Sequence, residues 1–202
     1  VTEPAGNYYI FNMEDPTVGG YRADQVALRR AFGLGLDTRK LIDYAYNGLG
    51  TVAQGPTLPY TTGFDAAFKS EFGDYDPARA KALLDLYGYK DRDGDGWREM
   101  PDGSPLVLKV NTQSDQRSRK ISEVLNKNMT VLGLRIESVV AQWPENLKAV
   151  RAGKLQIWSV GAYASQPDAI GAFDRFDSKQ IGGQNFARIK LPALDALHER
   201  VQ

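Results

Sequence analysis

The second half of the chain alternates between two hydrophobic patterns. Short runs rich in β-branched and other apolar residues, which are typical of strands, are separated by segments whose apolar residues recur at helical spacing. The predicted order is a strand PLVLKVNT, a helix, a strand LRIESVVA, a helix WPENLKAVRAG and a strand KLQIWSVGAY. The first of these helices, SDQRSRKISEVLNKNMTVLG, has one inward face, formed by Ile121, Val124, Leu125, Asn128, Met129 and Leu132. This β-α-β-α-β order predicts parallel strands joined by right-handed crossovers.

The first half of the chain predicts one strand and three helices. The aromatic run NYYIFNM, residues 7–13, is typical of a strand, and ADQVALRRAFGLGL has the spacing of a helix. Asp37 is the expected cap of a second helix, TRKLIDYAYN. Asp76 is the expected cap of a third helix, DPARAKALLDLYGY, in which Pro77 takes the first helical position. The third helix has one apolar stripe, formed by Ala80, Leu83, Leu84 and Tyr87.

Two further segments complete the pattern. Residues 48–75 are rich in glycine, proline and threonine and contain no long periodic run, so we expect an ordered surface loop there. A last helix is predicted from about Leu191 to the end of the chain, with an inward face formed by Leu194, Leu197 and Val201.

Composition and charge fit a globular protein and exclude several classes. Hydrophobic residues make up 42% and charged residues 25% of the chain, and residues 1–202 are predicted to form a single α/β domain. Lys+Arg and Asp+Glu both number 25, so no basic excess attracts nucleic acid or an anionic membrane. The absence of cysteine excludes disulfides and thiolate metal sites. The chain starts with neither an initiator methionine nor a signal peptide, so we expect a mature or excised segment whose targeting signals lie outside it.

Polar and aromatic residues follow each of the three predicted parallel strands. Open parallel sheets bind ligands outside the carboxyl ends of their strands, where loops and helix N-termini converge. The side chains of interest at these ends are Gln113, Ser114, Arg117, Gln142, Trp143, Ser159, Tyr163 and Ser165. Aromatic rings among hydroxyl and amide groups suit a cleft for a polar organic ligand. The alternative is that Trp143 and Tyr163 only pack the rim of the core.

Catalytic motifs are scarce. His198 is the only histidine, and one histidine without a candidate partner supports neither base nor metal chemistry, so we expect it to be structural. The sequence has no nucleophile elbow, HExxH, P-loop or GxGxxG motif. No catalytic residue and no resident metal ligand is therefore predicted, and an enzyme is not the expected class.

The stretch DRDGDGWREMPDG, residues 91–103, resembles a calcium loop. Counting from Asp91, aspartates occupy loop positions 1, 3 and 5, glycine position 6 and Glu99 position 9, which is the spacing that wraps oxygen ligands around calcium. Position 12 is Asp102, which is shorter than the usual bidentate glutamate, and a strand rather than a helix is predicted to leave the loop. One alternative is calcium bound between Asp91 and Asp102, with a calcium-stabilised interaction module as the function. The other, which we expect, is a turn without a cofactor, whose aspartates bond their own backbone.

Four stretches of the chain together resemble one known family. They are YYIFNMEDP…ALRRAF…LDTRKLID, GLGTVAQGPTLP, YDPARAKALLDLYGYKDRDGDGWRE and NFARIKLPALDAL. In order and spacing they are similar to the family 5 extracellular solute-binding proteins, the dipeptide- and oligopeptide-type receptors of ABC importers. The resemblance implies one lobe, the second or carboxyl-side lobe, of a clamshell of the type II periplasmic binding proteins. It also implies a monomer in the periplasm or on the extracellular face of the cytoplasmic membrane. Such a receptor closes on a peptide or similar small organic solute and docks on permease subunits in the membrane.

The resemblance also implies which residues contact the solute. Together with Tyr163 from the strand end, the predicted ligand-contacting residues are Tyr8, Arg117, Trp143, Ser159, Ala162, Tyr163 and Ser165. In the peptide receptors a segment similar to GW-x-AD-Y-x-DP supplies an aspartate for the peptide's ammonium group. Here GAYASQPD puts Ala162 at the tryptophan and Ser165 at the aspartate, which removes that ion pair. A less cationic solute, such as a glycoside or a modified peptide, is therefore the alternative to a free peptide.

Overall fold

The computed structural model describes residues 5–164 and 167–201. Its strands are β1 (Ala5–Phe11), β2 (Val107–Thr112), β3 (Arg135–Val140) and β4 (Ile157–Tyr163). Its helices are α1 (Ala23–Gly35), α2 (Thr38–Ala45), α3 (Pro77–Leu86), α4 (Gln116–Leu132), α5 (Trp143–Arg151), α6 (Ile170–Phe173) and α7 (Pro192–Val201). Each predicted strand and helix is present. The predictions did not include α6 or the two short 3₁₀ turns after it, Asp174–Phe176 and Ser178–Gln180.

The four strands form one mixed sheet in the order β1-β4-β2-β3. Strand β2 pairs in parallel with both β3 and β4, which confirms the predicted parallel core. Strand β1 is an antiparallel edge strand on β4, with Ala5 opposite Tyr163 and Phe11 opposite Ile157. The carboxyl ends of β2, β3 and β4 and the amino end of β1 therefore share one edge of the sheet, called here the C-terminal edge.

The sheet carries a hydrophobic core on each face. The larger core packs α1, α3 and α4 on one face and includes Leu28, Leu84, Leu108, Leu125 and Ile157. The smaller core packs α5 on the other face and includes Ile10, Val150, Leu155, Trp158 and Val160. Successive strand residues point to opposite faces, so β4 sends Ile157 to the α4 side and Trp158 to the α5 side. This alternation decides on which face each predicted site residue of β4 lies.

Local capping explains where several helices begin. The side chains of Asp37, Asp76 and Asp115 accept backbone N–H groups three residues further on, at 3.0, 2.9 and 3.0 Å. A cap of this kind contributes about 1 kcal/mol to stability. Gly133 ends α4 with a φ of 74°, a left-handed conformation that favours glycine. Residues 48–75 contain no helix or strand, as predicted. No helix in the described part of the chain combines the length and the apolar character that crossing a bilayer requires.

The predicted inward face of α7 is wrong at Leu197. That side chain is 53% exposed, whereas His198 is buried beneath the helix and Leu194 is half-buried. His198 Nε2 lies 3.1 Å from a carboxylate oxygen of Asp174, and Nδ1 lies 3.7 Å from one of Asp177. These two carboxylates, from the turns after α6, favour the histidine on the inward side. The expectation that His198 lacks a partner is therefore also wrong. The side chain of Val201 is outside the described part.

Candidate functional site

A buried asparagine holds the C-terminal edge together. Asn146, on α5, has no exposed surface, and its Nδ2 donates to the carbonyl oxygens of Thr112 at 3.1 Å and Ala141 at 3.3 Å. Its Oδ1 accepts from Asn111 Nδ2 at 2.8 Å. Thr112 ends β2 and Ala141 follows β3, so one side chain ties two strand ends to the first turn of α5. This fixes the position of the adjacent Trp143.

Trp143 packs on a second tryptophan at this edge. It is the first residue of α5, and its ring lies 5.0 Å from that of Trp158, tilted by 43°. Trp158 is fully buried, and its indole Nε1 has no hydrogen-bond partner among the described residues. A buried donor without an acceptor costs about 1–3 kcal/mol. Trp143 is 44% exposed, so it covers Trp158 and still presents an aromatic face to the outside.

Tyr8 lies on the same face of the sheet and is covered by an arginine. It pairs with Val160 across β1 and β4 and packs against the smaller core. The guanidinium carbon of Arg175 lies 4.7 Å from the centre of the Tyr8 ring. Burial raises the pKa of the Tyr8 hydroxyl, and the charge of Arg175 acts in the opposite direction. Tyr8 is therefore a neutral hydroxyl donor at physiological pH.

A second group of predicted residues lies on the α4 face. Arg117, in the first turn of α4, places its guanidinium 5.2 Å from the centre of the Tyr46 ring. Burial raises the pKa of Tyr46, Arg117 opposes the rise, and Tyr163 is close enough to add to it. Tyr163 is 74% exposed at the end of β4. Ser159, opposite Tyr9, lies on this same face by strand alternation.

The predicted residues therefore lie on both faces of one edge. Arg117, Ser159 and Tyr163 are on the α4 side; Tyr8, Trp143 and Ala162 are on the α5 side. Ser165 lies outside the described residues. The structure brings Arg117 near Tyr163 through Tyr46, and it brings Trp143 onto Trp158.

Four residues of this edge were missed by the sequence analysis: Tyr46, Asn146, Trp158 and Arg175. A signal was available for Asn146, which is a polar residue four positions before Val150 on the inward face of α5. Trp158 could have been found from β4 alternation, because it shares a face with Val160. Tyr46 and Arg175 gave no local signal, since their partners are far away in sequence.

The acidic loop is a turn held by its own carboxylates. Carboxylate oxygens of Asp91, Asp93, Asp95 and Glu99 all lie within 4.8 Å of one another, as calcium ligation would require. Asp91 accepts from the backbone N–H of Gly94 at 2.7 Å and of Gly96 at 2.9 Å. Both glycines have positive φ, at 79° and 93°. The carboxylate of Asp102, at loop position 12, bonds Ser104 instead. The interactions present are those of an Asx-type turn.

Two surface grooves lie away from the C-terminal edge. One, of about 440 Å³, runs between the start of α2 and the loop around Phe68 and Asp74. The other, of about 180 Å³, lies between α2 and α4 beside Tyr44. None of the predicted ligand-contacting residues lines either groove. With Trp143 and Tyr163 both exposed, the predicted site is an open surface.

A family model matches most of the chain. The model of the bacterial extracellular solute-binding proteins, family 5, middle part, matches residues 1–184. Heme-binding protein A of Haemophilus influenzae is 27% identical over 194 residues, which is 94% of this chain and 32% of that protein. Oligopeptide-binding protein AppA of Bacillus subtilis is 23% identical over 178 residues, which is 84% of this chain and 32% of that protein. The chain thus spans about a third of the length of these curated relatives.

Solved structures share the fold. Oligopeptide-binding protein AppA of Bacillus subtilis, in complex with a nonapeptide, superposes with a TM-score of 0.84 at 22% identity. The match covers 98% of this chain and 38% of that one. HbpA2 of Haemophilus parasuis superposes with a TM-score of 0.79 at 21% identity, over 98% of this chain and 36% of that one. The predicted fold class, part of a type II periplasmic binding protein, is confirmed.

Proposed function

Because the chain belongs to the bacterial extracellular solute-binding proteins of family 5, we propose that it is one lobe of a receptor that captures a small organic solute for an ABC importer. The solute binds at the C-terminal edge of the sheet and is enclosed when the remaining part of the receptor closes over it. Ligand contacts that form only in the closed state stabilise that state. Such a receptor catalyses no reaction.

The exposure of two large aromatic side chains at one edge carries this proposal. Trp143 and Tyr163 are 44% and 74% exposed, and each follows or ends a strand of the parallel core. Exposed aromatic surface at the strand ends is what a ligand and a closing lobe cover. Tyr8, Arg117, Ser159, Ala162 and Ser165 complete the proposed contact set.

The solute is a peptide or a similar small organic molecule. One relative is named for oligopeptides and another for heme, so the family resemblance alone leaves the ligand class open. The second candidate is a receptor for a non-peptide or modified-peptide solute. Ser159, Ala162 and Ser165 favour it, because these three positions offer no charge to a peptide terminus.

The proposed partners follow from the same function. The receptor acts as a monomer in the periplasm or on the extracellular face of the cytoplasmic membrane, and it delivers its solute to permease subunits in that membrane. The calcium-stabilised module remains an alternative role for the acidic loop alone.

The test is to identify what the full-length protein retains. The full-length protein that contains this chain is purified, denatured, and the released small molecules are identified by mass spectrometry. We expect one dominant organic solute at near-stoichiometric amounts. Calorimetry is then repeated with the 202-residue chain, which we expect to bind that solute far more weakly because the enclosing surface is missing. A full-length protein that retains no solute, or a 202-residue chain that binds as tightly as the whole, contradicts the proposal.

A further inference from the structure

We propose that Arg175 is an anion-binding residue of this site and that the captured solute carries a carboxylate or a comparable anionic group. The inference rests on the solute-binding function proposed above, and it adds the charge class of the solute. It starts from a guanidinium that the described part of the chain leaves without a counter-charge.

Arg175 is held in place by an aromatic ring and by no acid. Its guanidinium stacks on Tyr8 at 4.7 Å, and its side chain forms no hydrogen bond or ion pair with any described residue. Stacking on a ring face leaves the five guanidinium N–H donors, which lie in the guanidinium plane, available to a carboxylate. Arg175 is half-buried, so a closing lobe would remove still more water from an unpaired charge. Such burial is costly unless a counter-charge arrives with it.

The acids nearest to Arg175 in sequence are engaged elsewhere. Asp174 bonds His198 Nε2 at 3.1 Å. Asp177 accepts the backbone N–H of Lys179 at 2.9 Å and faces His198 Nδ1 at 3.7 Å. His198 thus lies between the two carboxylates that flank the arginine in the chain. Neither carboxylate pairs with the guanidinium.

The rest of the C-terminal edge repeats this charge pattern. Arg117 stacks on Tyr46 and, within the described residues, also forms no ion pair. The acids at the two helix starts are caps: Asp115 accepts from Ser118, and Glu145 accepts the backbone N–H of Gln142 at 3.1 Å. The edge therefore presents two uncommitted cations and no uncommitted carboxylate among these residues. Tyr8, whose raised pKa keeps its proton on the hydroxyl, adds a neutral donor beside Arg175.

The first experiment identifies the charge of the retained solute. Full-length wild-type protein, Arg175→Gln, Arg175→Lys and the control Arg30→Gln are purified in parallel, and the released small molecules are identified by mass spectrometry in both ion polarities. Arg30 is the matched control because its guanidinium also stacks on an aromatic ring, Phe72 at 4.2 Å, without an ion pair among the described residues. We expect an acid in the wild type and in Arg30→Gln, and at least tenfold less of it in Arg175→Gln. A retained solute without an acidic group overturns the inference and leaves the solute-binding function standing. No retained solute in any of the four proteins contradicts that function itself.

The second experiment measures affinity with two charge probes. Calorimetry uses N-acetyl-trialanine, which has only a carboxylate, and trialanine amide, which has only an ammonium group. We expect the acetylated probe to bind more tightly, to lose about tenfold to hundredfold affinity in Arg175→Gln, as loss of one charge-assisted contact predicts, and to recover part of it in Arg175→Lys. Its affinity should also fall with added salt, less steeply in Arg175→Gln. Melting temperatures serve as the folding check. Affinity within twofold of wild type in a folded Arg175→Gln, equal affinities of the Gln and Lys variants, or preference for the amide probe overturns the inference.

Discussion

Replacing Asn146 by alanine tests how the C-terminal edge is held. The change removes two donors to the Thr112 and Ala141 carbonyls and one acceptor from the Asn111 amide. Each bond contributes about 1 kcal/mol net, so the three together predict a loss of about 3 kcal/mol in the free energy of unfolding. The remaining groups lie at or near the interior, where an unmet hydrogen bond is costly. The estimate is therefore a lower value.

Urea denaturation of the 202-residue chain, followed by tryptophan fluorescence, measures this loss. With a slope of about 2 kcal/mol per molar urea, the midpoint should fall by about 1.5 M. The emission of Trp143 and Trp158 should also shift in the native baseline, because the first turn of α5 loses its tie to the strands. The matched control is Asn126→Ala, which removes one bond to Ser122 within α4 at a half-buried position. We expect that control to cost less than about 1 kcal/mol. If Asn146→Ala costs no more than the control, the edge is not held by this side chain.

Three further predictions concern the acidic loop, alkaline stability and the buried indole. Asp91→Ala should lower the melting temperature by the same amount in EDTA and in millimolar calcium, since the lost contacts are backbone bonds in the loop; a wild-type melting temperature that rises by several degrees with calcium would contradict this. Burial raises the pKa of Tyr89 to about 12. Its neutral form therefore stabilises the fold fully below about pH 10 and progressively less as pH rises toward 12, so Tyr89→Phe should flatten the fall in urea midpoint over that interval, and parallel profiles would refute the assignment. Trp158→Phe, which removes a donor without a partner, should cost about 1 kcal/mol, whereas Trp158→Ala should cost about 3–5 kcal/mol in the same urea assay; equal losses would show that the indole N–H is satisfied.

Local signals in the sequence were sufficient for the elements of the fold. Asp37, Asp76 and Asp115 each cap the helix that follows, and such a cap depends only on residues within one turn. The strand order followed from the alternation of elements and the handedness of crossovers. The distribution of site residues on β4 was also within reach, because a period of two places Ser159 and Tyr163 on one face and Ala162 on the other.

Contacts between distant segments could not be read from the sequence. The rotation of α7 that buries His198 depends on Asp174 and Asp177, which come from turns without a periodic pattern. Arg175 meets Tyr8 only because β1 is the edge strand beside β4. Both cases require the tertiary arrangement before the chemistry of the side chains can be judged.

The charge of the C-terminal edge follows from how its helices begin. The first N–H groups of a helix lack partners within the helix, and they attract nearby acids as caps. Asp115 shows this preference directly: its carboxylate lies two residues from Arg117, yet its pKa is lowered chiefly by hydrogen bonds from Ser118. An acid that caps a helix is no longer available to a neighbouring arginine as an ion pair. The same interactions that start α4 and α5 at this edge thus leave it cationic, and an anionic solute would supply the charge that the caps withhold.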